Sequence, residues 1–503
     1  MAQNIDTSLV TSNSPVMHGR RMILTTESEI TPENVAFVIS RAMEIHNINS
    51  GEINYLWNYR NGKQPILNRV KTGSFENIVN KIVENRAAEI IDFKIGYYVG
   101  EPIQYTSKKD DEKSLDDMKR LNDFFYAVNK ASQDQDIVEW QMVCGTAYRI
   151  ILPNENRAIK DIKPFEMFTL DARNTFVVRS VEMGNKVLMG VQYYSYNKES
   201  VVEKPSEIIE HFTCYTNDWI FTIENGILVD KQVNALGYIP IVEYPANNSR
   251  LGAFEVVLPL LDMLNMIDSD RMDGIEQTIQ AFIKFINCEI DAKQFEQFKS
   301  MGAIMVKSVD GAPADVDTVT TNLDQNQTQT TKDDIYDAIL EICGMPSRTG
   351  GASTSDTGAA VILRDGYALA ESRAKVFENM FKRSEAEMLE IALYICNKTE
   401  GVESIELLPW DIETKFTRRN YENITSKSQV LCEMLNNPKI HPILAYQSCG
   451  LFPDPEYAYV ISMQYYDELM AQYEPVEVDE DEESLRTDGQ ISGSDKESDS
   501  EGV

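Results

Sequence analysis

Hydrophobic and polar positions alternate along the chain in three successive regimes. From residue 31 to about 129, apolar residues mostly recur at three- and four-residue spacing, the period of amphipathic helices. Thr31-Pro32-Glu33 supplies a helix start, with Thr as N-cap and Pro at the first helical position. That helix is expected to reach about His46 and to bury Val35, Ile39 and Met43. Tyr55 to Tyr59, followed by Asn61-Gly62, reads as an aromatic-rich end and a turn. Asn80 to Ile95 is predicted helical, Gly96 to Ile103 leaves that helix for an extended segment, and Leu115 to about Asn129 is a further helix.

From Ala147 to Tyr244 the period shortens to two. Runs at Tyr148 to Leu152, Val177 to Met183, Lys186 to Tyr196, Ile208 to Thr213, Trp219 to Glu224 and Ile241 to Tyr244 are β-branched and aromatic. Turn pairs such as Gly184-Asn185 and Asn225-Gly226 separate them, as in antiparallel sheet. Asn247 to Gly252 reads as a domain junction.

Helical spacing then returns from Phe254 to about Ile279, with Pro259 beginning or kinking the helix. Strand-like runs at Phe282 to Ile290 and Ala303 to Val309 surround a small helix near Gln294 to Lys299, and a polar stretch leads to a helix from about Thr330 to Ile342. Two helices thus flank a small α/β insertion. Gly344 to Gly358 is loop-like, and Ala359 to Ile395 is the longest helical stretch, ~55 Å at ~1.5 Å per residue. Its apolar positions are Ile362, Leu369, Val376, Met380, Met388, Ile391 and Ile395, with Gly366 as a bend. Strands are expected at Ser404 to Leu408 and Asp411 to Thr417, then helices at Thr425 to Leu435, Ile440 to Cys449 and Glu456 to Gln472.

Composition narrows the function. The chain has 503 residues and a formal charge of −33, with 43% hydrophobic residues, as in a soluble globular protein of several domains. The last 30 residues, from Glu474, hold 12 acidic and two basic residues, yet the remainder is acidic as well. Stable duplex binding needs clustered Lys and Arg, so a conventional DNA-binding factor is excluded. No apolar run approaches the ~18–20 residues of a membrane span, and the polar N-terminus lacks a secretory h-region. Seven singly scattered cysteines read as reduced thiols of a cytosolic protein.

Catalytic and cofactor motifs are missing. There is no G-x-x-x-x-G-K-S/T loop, no G-x-G-x-x-G, no H-E-x-x-H and no G-x-S-x-G. The four histidines, His18, His46, His211 and His441, stand far apart. Asp268, Asp270 and Asp273 resemble the start of a calcium loop, but the EF-hand register places Met272, Asp273 and Ile279 at positions five, six and twelve. They read as the polar face of a helix. No metal, cofactor or active site is expected.

From Tyr55 onward the chain resembles the tailed-bacteriophage portal proteins of the SPP1 type. The stretches that carry the resemblance are Tyr55 to Arg69, with Gly62-Lys63-Gln64-Pro65-Ile66-Leu67-Asn68-Arg69, and Asn85 to Tyr105, with Gly96-Tyr97-Tyr98-Val99-Gly100-Glu101-Pro102-Ile103. The Gly350-Gly351 loop before the long helix, Phe416 to Asn423, and Phe452-Pro453-Asp454-Pro455-Glu456 add to them. Order, spacing and the interrupted helix hairpin carry the likeness. Thr357-Gly358-Ala359-Ala360-Val361 departs from the Ser-Gly and Ala-Leu that the family often has there.

The resemblance implies an α+β portal fold: an α/β wing, two stem helices flanking a small α/β clip, a long helix after a tunnel loop, and a mainly helical crown. Its segments would be an arm at 1–27, wing 28–251, first stem helix 252–281, clip 282–324, second stem helix 325–344, tunnel loop 345–358, long helix 359–397, crown 398–473 and a disordered acidic tail 474–503. It further implies a homo-oligomeric ring of about twelve subunits at one capsid vertex of the virion, assembled in the host cytoplasm, with closed cyclic symmetry. Double-stranded DNA would pass through it during packaging and ejection. The terminase large subunit and the head-completion or adaptor protein would dock on the clip, and scaffolding and major capsid proteins would assemble around the ring.

On that reading the DNA-channel residues are Ser347, Arg348, Thr349, Gly350, Gly351, Ser353, Thr354 and Ser355, small and polar except for Arg348. Arg348 is either a phosphate contact or an inter-subunit ion pair or solvated side chain. Lys293, Gln294, Gln297, Lys299 and Lys307 are the candidate docking residues of the clip. Weak, sequence-blind contact suits a conduit, because every phosphate–cation pair adds affinity that retards sliding. The chain would be no enzyme, with ATP hydrolysis left to the terminase. The alternatives are a ring-forming capsid adaptor or scaffold without a DNA path, and an acidic metal-dependent nuclease using Asp268, Asp270 and Asp273.

Overall fold

A computed structural model describes residues 19–71, 77–109, 111–154, 163–197, 208–279, 282–286, 293, 315–319, 325–346, 367–418, 424–452 and 455–472. The chain separates into two compact units between Tyr421 and Glu422. In chain order the first contains β1 (Ile23–Thr25), α1 (Val35–Arg60), α2 (Arg86–Val99), β2 (Gln104–Ser107), α3 (Glu112–Ala127) and α4 (Lys130–Cys144). Then come β3 (Thr146–Pro153), β4 (Phe165–Leu170), β5 (Thr175–Ser180), β6 (Val187–Asn197), β7 (Ile208–Tyr215), β8 (Trp219–Glu224), β9 (Ile227–Val233) and β10 (Ile241–Pro245). They are followed by α5 (Leu258–Ile279), β11 (Phe282–Ile286), β12 (Asp315–Val319), α6 (Gln325–Cys343), α7 (Tyr367–Lys398) and β13 (Ile412–Lys415). The fold class is α+β, as expected.

The largest sheet runs β1-β5-β6-β7-β8-β9. Its hairpins are antiparallel, as the turn pairs require, while β1 joins the edge in parallel with Ile23 opposite Val178. A smaller sheet has the order β10-β3-β4, and β2 pairs with β13. Two buried clusters result. In one, Val35, Val38, Ile39 and Ala42 of α1 pack on Phe176, Val191, Phe212 and Phe221 of the large sheet. The other joins α1, α2, α4, the small sheet, α5, α6 and α7.

α1 serves both clusters, which corrects the expectation that it ends near His46. The Asn47 to Gly51 stretch reads as a terminator, yet buried positions continue at His46, Asn49, Ile53, Leu56 and Tyr59. At the joint between the clusters, polar side chains have partners. The Asn49 amide exchanges two hydrogen bonds with the Arg21 backbone, both 2.9 Å, and Glu52 pairs with Arg20 at 3.3 Å and Arg21 at 2.9 Å. Buried polar groups are tolerated when fully paired, so the helix runs through.

Other boundaries also move. α4 has no counterpart in the sequence expectations; its surface spacing is weakly amphipathic because Lys130, Asp134 and Gln141 are buried along with Ile137 and Val138. It ends on Gly145, whose φ is +80° and where an added Cβ would lie 2.1 Å from the Arg250 carbonyl oxygen, so there is no room for a side chain. Ser404 to Leu408 is not a strand, and only Ile412–Lys415 of the following run is paired. On α7, Leu369 and Val376 are exposed, while Ala370, Ala374, Phe377 and Phe381 face the core. Ile362 and Gly366 lie outside the described residues.

The second unit contains α8 (Ile424–Leu435), α9 (Pro442–Cys449) and α10 (Pro455–Gln472), close to the expected spans. His441 caps α9 by accepting the Ile443 N–H at 3.3 Å, and Tyr446 packs on Phe452 and Tyr459 at ring distances of 5.4 and 5.9 Å.

Candidate functional site

The interrupted hairpin is the feature that sequence reasoning singled out. α5 and α6 pack antiparallel: Arg271 donates to Gln329 at 2.8 Å, Lys332 pairs with Asp268 at 2.9 Å, and the Cys343 thiol approaches the Ala253 carbonyl at 3.6 Å. Leu261 and Leu264 of α5, with Ile339 and Leu340 of α6, bury the apolar seam. Pro259 sits in the first turn of α5, where its missing N–H costs nothing. Between the helices, β11 and β12 pair antiparallel, with Phe282 opposite Val319 and Ile286 opposite Asp315. β12 arises where a polar stretch was expected, and α6 begins at Gln325, five residues before the expected Thr330.

The first helix of the hairpin is held by a segment predicted to be helical. Residues 78–85 belong to neither helix nor sheet, and residues 80–84 lie along α5. The backbone N–H groups of Asn80, Ile82 and Glu84 donate to the side chains of Asp273, Ser269 and Asn265 at 2.7, 3.0 and 2.8 Å. Two extended residues advance about 6.6 Å and four helical residues about 6 Å, so the two periods match. Helix α2 consequently starts at Arg86, with Asn85 as N-cap, and not at Asn80. No helical period in residues 80–85 could reveal this, because the partners lie some 190 residues away.

The ladder consumes the acidic cluster. Asp273 is buried beneath Lys71 at 2.5 Å and also pairs with Arg69; burial alone would raise its carboxyl, but Lys71 and Asn80 hold it below the usual range. Asp270 pairs with Arg69, and Asp268 with Lys332. Each carboxylate already has a cation or amide partner. Among the described residues no group of His, Cys, Asp or Glu is arranged to hold a metal ion.

Helix α6 ends in a fixed geometry immediately before residue 347. Gly344, at φ +66°, donates to the Glu341 carbonyl at 3.0 Å, and the Met345 N–H donates to the Leu340 carbonyl at 2.8 Å. Two cations from other helices cap the remaining carbonyls: Lys94 of α2 reaches Cys343, and Arg373 of α7 reaches Ile342 at 2.7 Å. Burial lowers Lys94 to about 8.

α7 is fastened to the small sheet by a buried charge cluster. Glu385 contacts Lys130 of α4 at 2.6 Å and accepts hydrogen bonds from Tyr105 at 2.6 Å and Tyr244 at 3.0 Å. Asp134 pairs with Lys130 at 2.8 Å and Arg149 at 2.5 Å. Burial would raise Glu385, but Lys130 and Arg149 overcome it and keep the carboxylate ionised. Two cations and two carboxylates balance, as burial demands. Ser384 adds a hydrogen bond to the Glu243 carbonyl at 2.8 Å. Sequence reasoning missed this cluster; the one available signal was Glu385 set among apolar positions of a long helix.

Of the expected site residues, Lys293 is exposed. Gln294, Gln297, Lys299 and Lys307, and all of Ser347, Arg348, Thr349, Gly350, Gly351, Ser353, Thr354 and Ser355, lie outside the described residues. The described cysteines are unpaired thiols, and none of the described helices is long and apolar enough to cross a membrane.

α5 and α6 thus form a hairpin interrupted by the β11–β12 pair and followed in the chain by the long helix α7. The chain belongs to the phage portal proteins, SPP1 Gp6-like, whose family description matches residues 43–459. Comparison with curated proteins returns no match. Membership implies an oligomeric ring at the capsid vertex of the virion, and the family is structural rather than catalytic.

Proposed function

We propose that the chain is the subunit of a closed ring of about twelve copies through which double-stranded DNA is packaged and ejected. The family match over residues 43–459 carries this reading. The antiparallel α5–α6 hairpin with β11 and β12 between its arms supports it, as a stem bearing a clip. In this reading residues 28–251 form the wing, 252–281 and 325–344 the stem, 282–324 the clip, 345–358 the tunnel loop, 359–397 the long helix and 398–473 the crown. Residues 1–27 are an arm and 474–503 an acidic tail.

The clip, with Lys293, Gln294, Gln297, Lys299 and Lys307, docks the terminase large subunit and then the head-completion protein. Scaffolding and major capsid proteins assemble around the ring. The tunnel-loop residues touch DNA through small polar groups, with Arg348 as the phosphate contact. The fixed end of α6 supports this role, because a loop that brushes moving DNA needs a rigid root. No catalysis is assigned to the chain.

Light scattering with negative-stain imaging of the same fraction tests the ring. The expected result is a mass of roughly twelve 57.2 kDa subunits with an axial hole; a stable closed dimer overturns the reading. Deleting residues 350–355 tests the DNA path. Rings should persist while packaging falls; unchanged packaging would favour an adaptor without a channel.

A further inference from the structure

The C-terminal half of α7 lines an open groove of about 520 Å³. Its lining includes Glu387, Glu390 and Tyr394 of α7 together with Tyr238, Leu408 and Trp410. Trp410 is 67% exposed and Leu408 44%, a large apolar surface left open to water. Tyr238 packs on Tyr394 at 5.0 Å and donates to Glu390 at 3.4 Å. No described residue lining the groove is basic. Burial raises the Glu387 carboxyl, and neighbouring Glu243 and Glu390 oppose the relief that Arg179 and Arg383 provide. Lys398 stands over the Tyr394 ring at 5.7 Å and Lys108 donates to the Trp410 carbonyl at 2.8 Å, but neither reaches Glu387 or Glu390, so an occupant that brings bulky apolar groups together with a cation for these carboxylates fits the lining.

One surface of the same unit has that composition. α3 uses Met118, Leu121 and Phe125 for the core, and Lys113 and Arg120 to hold Glu406 and Glu403 at 2.6 and 3.0 Å. This leaves Leu115 (54% exposed), Lys119 and Tyr126 (87% exposed) on its outer side at i, i+4 and i+11. Lys119 has no hydrogen bond or ion pair among the described residues. Leu115 to Tyr126 spans about 16 Å of helix, and the groove wall from Ala386 to Asn397 also spans about 16 Å.

The groove and the α3 face flank the same segment, residues 403–411: α3 grips its first half, and Leu408 and Trp410 of its second half line the groove. We propose that this groove receives the outer face of α3 from a second copy of the chain, with Lys119 set against Glu387 and Glu390 and with Leu115 and Tyr126 packed on Leu408, Tyr394 and Trp410. Two different, complementary faces on one subunit make a heterologous contact, which repeats head to tail and closes into a ring when the rotation per step allows it. The inference rests on the ring reading above and specifies which surfaces meet. Apolar anchors seal the contact, and the charges fix its register.

The test is a charge swap in the full chain, read by light scattering and with circular dichroism confirming that each variant folds. At the concentration where half the wild-type protein is in rings, Lys119→Glu and Glu390→Lys should each cut the ring fraction by roughly tenfold through like-charge contact. The double swap should restore it. Single reversals without effect, or a double swap without rescue, overturn the contact while leaving the ring intact. A second measurement pairs Lys119→Cys with Glu390→Cys. A bismaleimide should convert assembled rings of the double variant into covalent ladders that neither single variant gives, even though Cys432 is exposed. Absence of a ladder, or coupling to a different virion protein, overturns the proposal. Wild-type protein that forms no ring in any condition, with or without scaffold, removes the ring reading itself and the contact with it.

Discussion

The Lys94 ammonium donates a hydrogen bond to the Cys343 carbonyl across 2.9 Å, joining two helices that lie 249 residues apart in the chain. Helix α6 thus terminates on a buried cation supplied by α2. The pKa of Lys94 falls from 10.5 when unfolded to about 8 when folded. Between those values the unfolded chain binds more protons, so stability rises with pH across that window. The contribution is about 3 kcal/mol at ~1.4 kcal/mol per pH unit. Measured against Lys94→Met, the wild-type subunit should gain stability between pH 8 and 10.5; the buried thiols, which burial raises and which oppose this trend above pH 9, are common to both proteins and cancel in the difference.

Gly344 is constrained twice. Its φ of +66° disfavours any side chain, and an added Cβ would lie 2.4 Å from the Arg373 Cδ. Gly344→Ala should destabilise the subunit by about 2 kcal/mol, part from the left-handed backbone and part from displacing Arg373 off the Ile342 carbonyl. Urea unfolding measures the loss. On the channel reading proposed above, in which residues 345–358 are the tunnel loop, assembled particles carrying the same variant should package DNA less well.

Glu385 neutralises Lys130 and shares Arg149 with Asp134. Glu385→Gln keeps the size and removes the charge, leaving a buried excess cation. The expected loss is about 3–5 kcal/mol, among the largest for any single change in the first unit. Unfolding followed by circular dichroism provides the number. An unchanged midpoint would mean that α7 is held by its apolar face alone.

His46 lies between the rings of Phe176 and Tyr193, with its Nε2 2.9 Å from the Arg173 carbonyl oxygen. Burial lowers its pKa from 6.5 to about 4. Below pH 6.5 the unfolded state gains a proton that the folded state refuses, so stability falls as pH drops from 6.5 to 4, by up to about 3 kcal/mol. Glu243 adds a further loss at lower pH: burial raises it, but Arg250 and Arg179 hold it at about 2, so its contribution is complete above 4.5 and lost as pH falls toward 2. His46→Gln, which keeps a donor for the Arg173 carbonyl, should flatten the upper part of this acid profile and leave the lower part.

Elements that obey one local period were legible: β5 to β8 of the large sheet, both helices of the interrupted hairpin, and α8, α9 and α10; β1, β4 and β9 were not expected. The misreadings share a cause. At Asn47 to Gly51 the residues look like a helix terminator, but Arg20 and Arg21 approach from the N-terminal segment and pair with the polar groups. At residues 80–85 an apparent helix is drawn out because α5 offers Asp273, Ser269 and Asn265 as acceptors. From Lys130 to Cys144, where no helix was expected, the charged residues Lys130 and Asp134 lie inside, paired through Arg149 and Glu385. In each case a distant partner overrides local propensity, which no single-sequence period contains. The resemblance to portal proteins was carried by order and spacing, which survive such local errors.

The ladder between residues 80–84 and α5 acts as a vernier. Its three bonds form together only when the segment and the helix are in one register, and the next register that could satisfy all three N–H groups lies about 6 Å away along the helix axis. Small axial slips therefore break every rung at once, whereas rotation of α5 and the segment as one piece breaks none. Force applied along the hairpin would be passed to Asn85 and α2 with almost no give until the rungs fail together.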